Sequence, residues 1–236
     1  MAIVLVTGAS RGIGLEFVRQ YAADGWSVLA CCRNPARADK LRDLASTHPQ
    51  IRTHALDVSD FAAIDALATE LRGQAIDVLL NNAGVYGPKP GAEHDPRQEF
   101  GHMDYAQWTR LFVVNTQAPL KMAEAFIEHV AASEQRRIVS MSTGLASISD
   151  AGGGFYAYRT TKAALNMEMV ALANDLRPRR VRVGLLCPGW VRTDMGGPNA
   201  TLAVEDSVRG LRARIAELDD ARSGTFYSYR GVPKPW

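Results

Sequence analysis

Short apolar runs alternate along the chain with longer amphipathic stretches. Residues 2–6, Ala-Ile-Val-Leu-Val, are wholly apolar and partly β-branched, the pattern of a strand buried on both faces. Strands are predicted within 1–7 and over 27–32, 51–56, 76–80, 137–141 and 181–187. Between them the apolar positions recur at helical spacing. Leu15, Phe17, Val18, Tyr21 and Ala22 run up to Gly25, and further helices are predicted over 36–45, 61–71, 105–131 and 162–176, the last stopped by Pro178. Strands alternating with helices predict an α/β fold: a doubly wound, Rossmann-like parallel sheet with helices on both faces. No repeat, low-complexity segment or shift in composition divides residues 1–236, so one domain is expected.

The junctions between these elements carry the candidate chemistry. Thr7-Gly8-Ala9-Ser10-Arg11-Gly12-Ile13-Gly14 joins the first strand to the first helix. Glycines there permit a tight turn and the approach of a pyrophosphate to the helix N-terminus, where free N–H groups and the dipole favour anions. The second strand ends Cys32-Arg33-Asn34, with no carboxylate where an NAD ribose would need one. Arg33 and Arg11 are then either exposed turn arginines or holders of a 2′-phosphate, at roughly 1.5–3 kcal/mol per charge-assisted bond. The loop preceding them favours the phosphate. The fourth strand ends Asn81-Asn82-Ala83-Gly84, and residues 85–103 form a polar stretch of a length that is usually functional or mobile. Gly152-Gly153-Gly154 leads into a helix on which Tyr158 and Lys162 share one face. An ammonium about 5 Å from a phenol, at an effective dielectric near 20, favours the phenolate by roughly 3 kcal/mol. The pair is therefore expected to lower the Tyr158 pKa by more than about two units and make it a usable acid/base.

With 47% hydrophobic residues, a chain of 236 residues can bury one sizeable core. Its formal charge of +2 argues against a nucleic-acid partner, and the densest basic group, Arg177, Arg179, Arg180 and Arg182, reads as a solvated turn. Cys31, Cys32 and Cys187 have neither a disulfide framework nor zinc spacing, and no metal site is expected. No signal peptide, transit peptide or run long enough to span a bilayer is read, so no membrane partner and a cytoplasmic location are expected.

Taken together and in order, these motifs resemble the short-chain dehydrogenase/reductase family over essentially the whole chain. TGASRGIG, NNAG, Asn115, Tyr158, Lys162 and Pro188-Gly189 stand where that family has its cofactor loop, its fourth-strand motif, its catalytic Asn, its YxxxK pair and its PG turn. GGGFYAYRTTKAALN and PGWVRTDMGG further resemble the C-factor/sniffer-like carbonyl reductases. The resemblance implies NADP(H) along the C-terminal edge of the sheet. Gly8, Ser10, Arg11, Gly12, Ile13 and Gly14 would line its phosphates, Arg33 its 2′-phosphate, and Asp57 and Val58 its adenine. Asn82, Ala83 and Gly84 would lie beside the ribose, and Pro188, Gly189, Val191 and Thr193 near the nicotinamide. Tyr158 would give a proton to a substrate carbonyl, Lys162 would hold the ribose, and Asn115 would hold a relay water through its backbone.

The family's remaining catalytic residue is a Ser just after the fifth strand. In Ile138-Val139-Ser140-Met141-Ser142-Thr143, counting from the apolar start assigns the role to Thr143, with Ser142 the alternative if the strand ends in a bulge. With Thr143 in the role, Ser142 would bond backbone nearby. The implied activity is NADPH-dependent reduction of a small apolar ketone or aldehyde. The alternative is a dinucleotide-binding regulatory or signalling protein with little turnover. The substrate pocket is expected from 85–103, 145–155 and 189–203, with Tyr86, Phe155, Trp190 and Met195. The helices over 105–131 and 156–176 resemble the family's two-fold interface. Met122, Phe126, Ile127, Met167, Met169 and Val170 exceed one buried stripe there, so a homodimer or homotetramer is expected.

Overall fold

The computed structural model describes residues 1–88 and 95–236. Among the described residues, seven parallel strands form one sheet: β1 (Ile3–Thr7), β2 (Ser27–Cys32), β3 (Ile51–Ala55), β4 (Val78–Asn81), β5 (Arg137–Met141), β6 (Arg182–Cys187) and β7 (Phe226–Ser228). Their order is β3-β2-β1-β4-β5-β6-β7. The helices are α1 (Gly12–Ala23), α2 (Asp39–Thr47), α3 (Phe61–Glu70), α4 (Tyr105–Phe112), α5 (Ala118–Ala131), α6 (Tyr156–Leu176) and α7 (Val204–Ala216).

Successive strand side chains point to opposite faces, so each apolar run feeds two cores. Leu5, Leu79 and Ile138 enter one layer with Ile64, Leu67, Met122, Phe126, Leu165 and Met169 from α3, α5 and α6. Val4, Val6, Leu80 and Val139 enter the other with Phe17, Val18, Leu41, Val208, Leu211 and Ile215 from α1, α2 and α7. Each large side chain so buried contributes about 1.5–3 kcal/mol. Among the described residues no helix is long and apolar enough to cross a membrane.

The expected fold holds, with four differences. The predicted strand over 76–80 is displaced to Val78–Asn81, because Ile76 and Asp77 are held by bonds to His129 and Ile3 before the ladder begins. The predicted helix over 105–131 is interrupted by a π-helical turn at Val113–Gln117. Helix α7 and strand β7 were not anticipated. The helix has a legible stripe, Val204, Val208, Leu211 and Ile215, whereas three edge residues are too few to show a period. The apolar surplus read on α5 and α6 is corrected. Met122, Phe126 and Met169 face the core, leaving half-buried Ile127 and Val170 and a 72% exposed Met167 as surface candidates.

The order places β1 between β2 and β4, so the chain departs from β1 in opposite directions and a crevice opens at that point. Its walls are pinned by side chains. The Thr7 hydroxyl accepts from the Asn82 and Ala83 N–H groups, each at 3.0 Å. Asn82 Nδ2 donates to the Thr7 carbonyl at 2.9 Å. Gly14 lies against both walls: a Cβ there would overlap the Gly8 carbonyl oxygen and come within 2.6 Å of Asn82 Nδ2. Gly14→Ala should therefore destabilise the fold by at least about 3 kcal/mol. Gly153, with no neighbour within 4 Å of its Cβ position, should tolerate Ala. Thermal denaturation of the two variants side by side checks this; equal melting temperatures would refute it.

Candidate active site

The C-terminal edge of the sheet collects most of the predicted residues. Gly8 and Gly12 have φ of +68° and +55°, the left-handed region that favours glycine. Ser10 and Ile13 are half-buried around the start of α1. Arg11 reaches across the groove, its Nη1 donating to Asp194 at 2.7 Å, both side chains being exposed. A Cβ on Gly12 would lie 3.4 Å from Thr193, so the glycine loop and the segment after β6 face one another. Gly189 turns that segment with φ +82° beside half-buried Pro188, and Val191 is buried against Leu202.

Arg33 is exposed at the end of β2. Its charge is felt by Asp57, whose carboxyl is held below the usual range first by the Ser59 hydroxyl and also by Arg33. Val58 beside it is buried. No acidic residue follows β2 directly, as the sequence indicates.

The centre of the site is built by α6. Tyr158 is 7% exposed and Lys162 5%. Lys162 Nζ donates to the Met141 carbonyl at 2.8 Å. Asn115, in the π-helical turn, is fully buried. Its Oδ1 accepts from the Val85 N–H at 2.8 Å, and its Nδ2 donates to the Val85 carbonyl at 2.8 Å and to Thr161 Oγ1 at 3.2 Å. That side chain is thereby used up in holding the chain just beyond Gly84. Thr161 and Thr116 complete the contact, the Thr116 hydroxyl donating to the Thr161 carbonyl at 2.8 Å.

Thr143 and Ser142 diverge, as the alternation of strand side chains requires. The Thr143 hydroxyl lies close enough to the Tyr158 phenol to favour its ionised form. It also accepts from the Leu145 N–H at 3.2 Å. Ser142 is 3% exposed and donates to Asn166 Oδ1 at 2.6 Å, a side-chain partner rather than the backbone one expected.

The expected lowering of the Tyr158 pKa by Lys162 is not what this geometry produces. Burial pushes the phenol well above its ordinary value, Tyr86 and Cys187 act in the same direction, and Thr143 opposes them. Lys162 is pulled the other way, its ammonium pushed down to about 8 by burial. Both residues lie on α6, but loss of water sets each shift, and neither is among the causes of the other's.

Of the expected substrate-pocket residues, Tyr86 meets both Tyr158 and Phe155. The Tyr86 ring lies 4.4 Å from the Tyr158 ring and 5.8 Å from that of Phe155, centroid to centroid. Trp190 and Met195, in the segment after β6, are 56% and 42% exposed. Residues 89–94 of the expected pocket lie outside the described residues. Sequence reasoning missed Gln98, which is fully buried beside Tyr86, and Asn166. Nothing local marks either, because their partners lie far away in the chain.

These residues fit an anionic dinucleotide. A Cβ on Gly8 would come within 2.9 Å of the Ala83 backbone, and one on Gly84 would stand 3.6 Å from Lys162 Nζ and 3.4 Å from Asn115 Oδ1. The bare glycines thus leave a groove running to a buried ammonium. Of that ammonium's three donors, Met141 takes one.

A family model described as short chain dehydrogenase matches residues 2–201. The chain is 41% identical to C-signal of Myxococcus xanthus over 172 residues, 72% of this chain and 99% of that one. It superposes on carbonyl reductase Sniffer of D. melanogaster with a TM-score of 0.90 and 32% identity, covering 100% of this chain and 99% of that one. An NADPH-bound carbonyl reductase from chicken fatty liver aligns at TM-score 0.88 and 32% identity, covering 100% of both.

The buried Lys162 has a consequence for stability. Its pKa falls from 10.5 to about 8 on folding, so between those values the unfolded chain holds a proton that the native one has released. Stability then rises with pH across that window. The difference in unfolding free energy between the wild type and Lys162→Met should change by about 3 kcal/mol in the wild type's favour from pH 8 to 10.5. Urea denaturation of both proteins across the window measures it; a pH-independent difference would contradict the burial argument.

Proposed function

The chain belongs to the short-chain dehydrogenase family, and on that premise we propose that it is an NADPH-dependent oxidoreductase reducing the carbonyl of a small, apolar ketone or aldehyde to an alcohol. One observation carries the reading. The Thr143 hydroxyl lies beside the Tyr158 phenol and favours its ionised form, while the Lys162 ammonium is buried one helical turn away with no carboxylate partner among the described residues. A buried cation without a counter-ion is costly unless a ligand uses it.

When bound, NADPH supplies the hydride. Tyr158 donates its proton to the carbonyl oxygen, and its raised pKa keeps the phenol protonated at neutral pH, as the reductive direction needs. Thr143 donates a hydrogen bond to the same oxygen and orients the phenol. Lys162 offers its remaining donors to the ribose hydroxyls. Asn115 holds the chain beyond Gly84 against α6. Arg33 takes the 2′-phosphate, which agrees with the NADPH recorded for the chicken reductase. Tyr86 and Phe155, with Trp190 and Met195, favour an uncharged apolar substrate.

The similarity to a protein called C-signal favours a second reading, a dinucleotide-binding signalling protein with little turnover. NADPH oxidation measured over a panel of ketones and aldehydes separates the two; no turnover on any of them would favour signalling.

Tyr158→Phe should lower turnover by about 10²–10⁴-fold, the range of a positioned acid, with NADPH binding unchanged. Thr143→Ala should lose most of the rate, Thr143→Ser should keep it, and Ser142→Ala should be mild. Steady-state kinetics of the four variants tests the assignment, and the reverse order at 142 and 143 would transfer the role to Ser142.

Arg33→Asp removes the phosphate partner and adds repulsion. Preference should shift toward NADH by about 1.5–3 kcal/mol. Dissociation constants for both cofactors measure this; equal affinities in the unaltered protein would exclude a role for Arg33.

A further inference from the structure

We propose that Gln98 is a positioning residue that fixes the backbone of Tyr158 and the Tyr86 wall of the substrate pocket as one unit; this rests on the reading of Tyr158 as the proton donor. Gln98 is fully buried. Its Oε1 accepts from the Tyr158 N–H at 2.9 Å. Its Nε2 donates to the Tyr86 carbonyl at 2.7 Å and the Pro88 carbonyl at 2.6 Å. Its own carbonyl accepts from the Tyr156 N–H at 3.2 Å. An amide has one oxygen and two N–H donors, and all of them are engaged.

The need for this residue lies at the start of α6. A helix leaves its first N–H groups without partners, and a side chain just before it usually supplies one. Asp60 and Asp104 do this for α3 and α4, bonding Ala63 and Gln107 at the third helical position. Helix α6 has no such cap. The residue before it is Phe155, held in the left-handed region at φ 55° and ψ 31°, with no capping side-chain bond. The third helical position here is Tyr158 itself, and its N–H is taken by a side chain 60 residues earlier.

The same amide reaches the other wall. Gly87 has φ +78°, and a Cβ there would lie 3.2 Å from Gln98 Nε2, so a bare glycine lets the amide close on the two carbonyls flanking it. Tyr86 is held by its carbonyl while its ring packs on the Tyr158 ring. One buried group therefore sets both the height of the proton donor and the surface against which a substrate carbonyl is placed. Displacements of about 1 Å at such a centre cost on the order of 100-fold in rate.

Two variants, assayed for NADPH-dependent carbonyl reduction beside Tyr158→Phe, test the proposal. Gln98→Met keeps the volume and removes every side-chain bond. It should lower kcat by about 10–100-fold and raise KM for the carbonyl, with the Kd for NADPH unchanged. Gln98→Glu keeps the acceptor for the Tyr158 N–H but sets a second oxygen against two carbonyls. A protonated carboxyl can still donate to one of them, and burial beside carbonyls raises its pKa. Its activity per folded molecule, the folded fraction being measured by circular dichroism at each pH because the same ionisation also lowers stability, should therefore fall about tenfold relative to the unaltered protein from pH 5.5 to 8. An inactive Tyr158→Phe together with unchanged kcat and KM in Gln98→Met, or with a Gln98→Glu ratio flat in pH, would overturn the role of Gln98. A fully active Tyr158→Phe would instead overturn the premise about Tyr158. Should Gln98→Met fail to fold, the pH ratio of Gln98→Glu decides alone.

Discussion

The approach of the turn after β1 to the end of β4 is the constraint from which the rest of the site follows. Gly14 has no room for a Cβ between the Gly8 carbonyl and the Asn82 amide. Thr7 and Asn82 exchange bonds across the same gap. The gap exists because β1 sits between β2 and β4, where the helical connections part to opposite faces. Loosening it would separate the N-terminus of α1 from Ala83 and Gly84, and with them from Asn115 and Lys162.

Desolvation, more than pairing, sets the electrostatics inside the site. Tyr158 and Lys162 are both withdrawn from water, and burial moves each toward its neutral form: the phenol up, the ammonium down to about 8. The Lys162 ammonium donates to the Met141 carbonyl, and the groove beside it is lined by glycine. A cation kept this way lowers stability.

Helix α6 joins this electrostatic centre to the remainder of the fold through buried polar contacts. Thr161 receives the Asn115 amide and donates to the Tyr158 carbonyl at 2.9 Å; Ser142 reaches Asn166; Gln98 caps the helix start. Polar contacts in a dry interface are directional, so they specify one rotation of the helix where apolar packing alone would accept several. Tyr158 and Lys162 lie on that helix and inherit its setting.

Most of the fold was legible in the sequence. Apolar runs of strand length, alternating with helical stripes, determined the parallel sheet and its first six strands, because burial on both faces leaves a pattern that local residue order records. The glycine spacing determined the turn after β1 for the same reason: only a residue without a Cβ fits. Strand β7 was illegible, since three residues at an edge have no period, whereas α7 did carry a stripe. Only the tertiary structure decided how Tyr158 and Lys162 titrate, because burial depends on every element packed around them. It alone set Thr143 toward the phenol and Ser142 toward Asn166, since the end of a strand is not marked in the residues that form it. It alone brought Gln98 to Tyr158: a hydrogen bond spanning 60 residues leaves no trace in local order and exists only once the chain has folded.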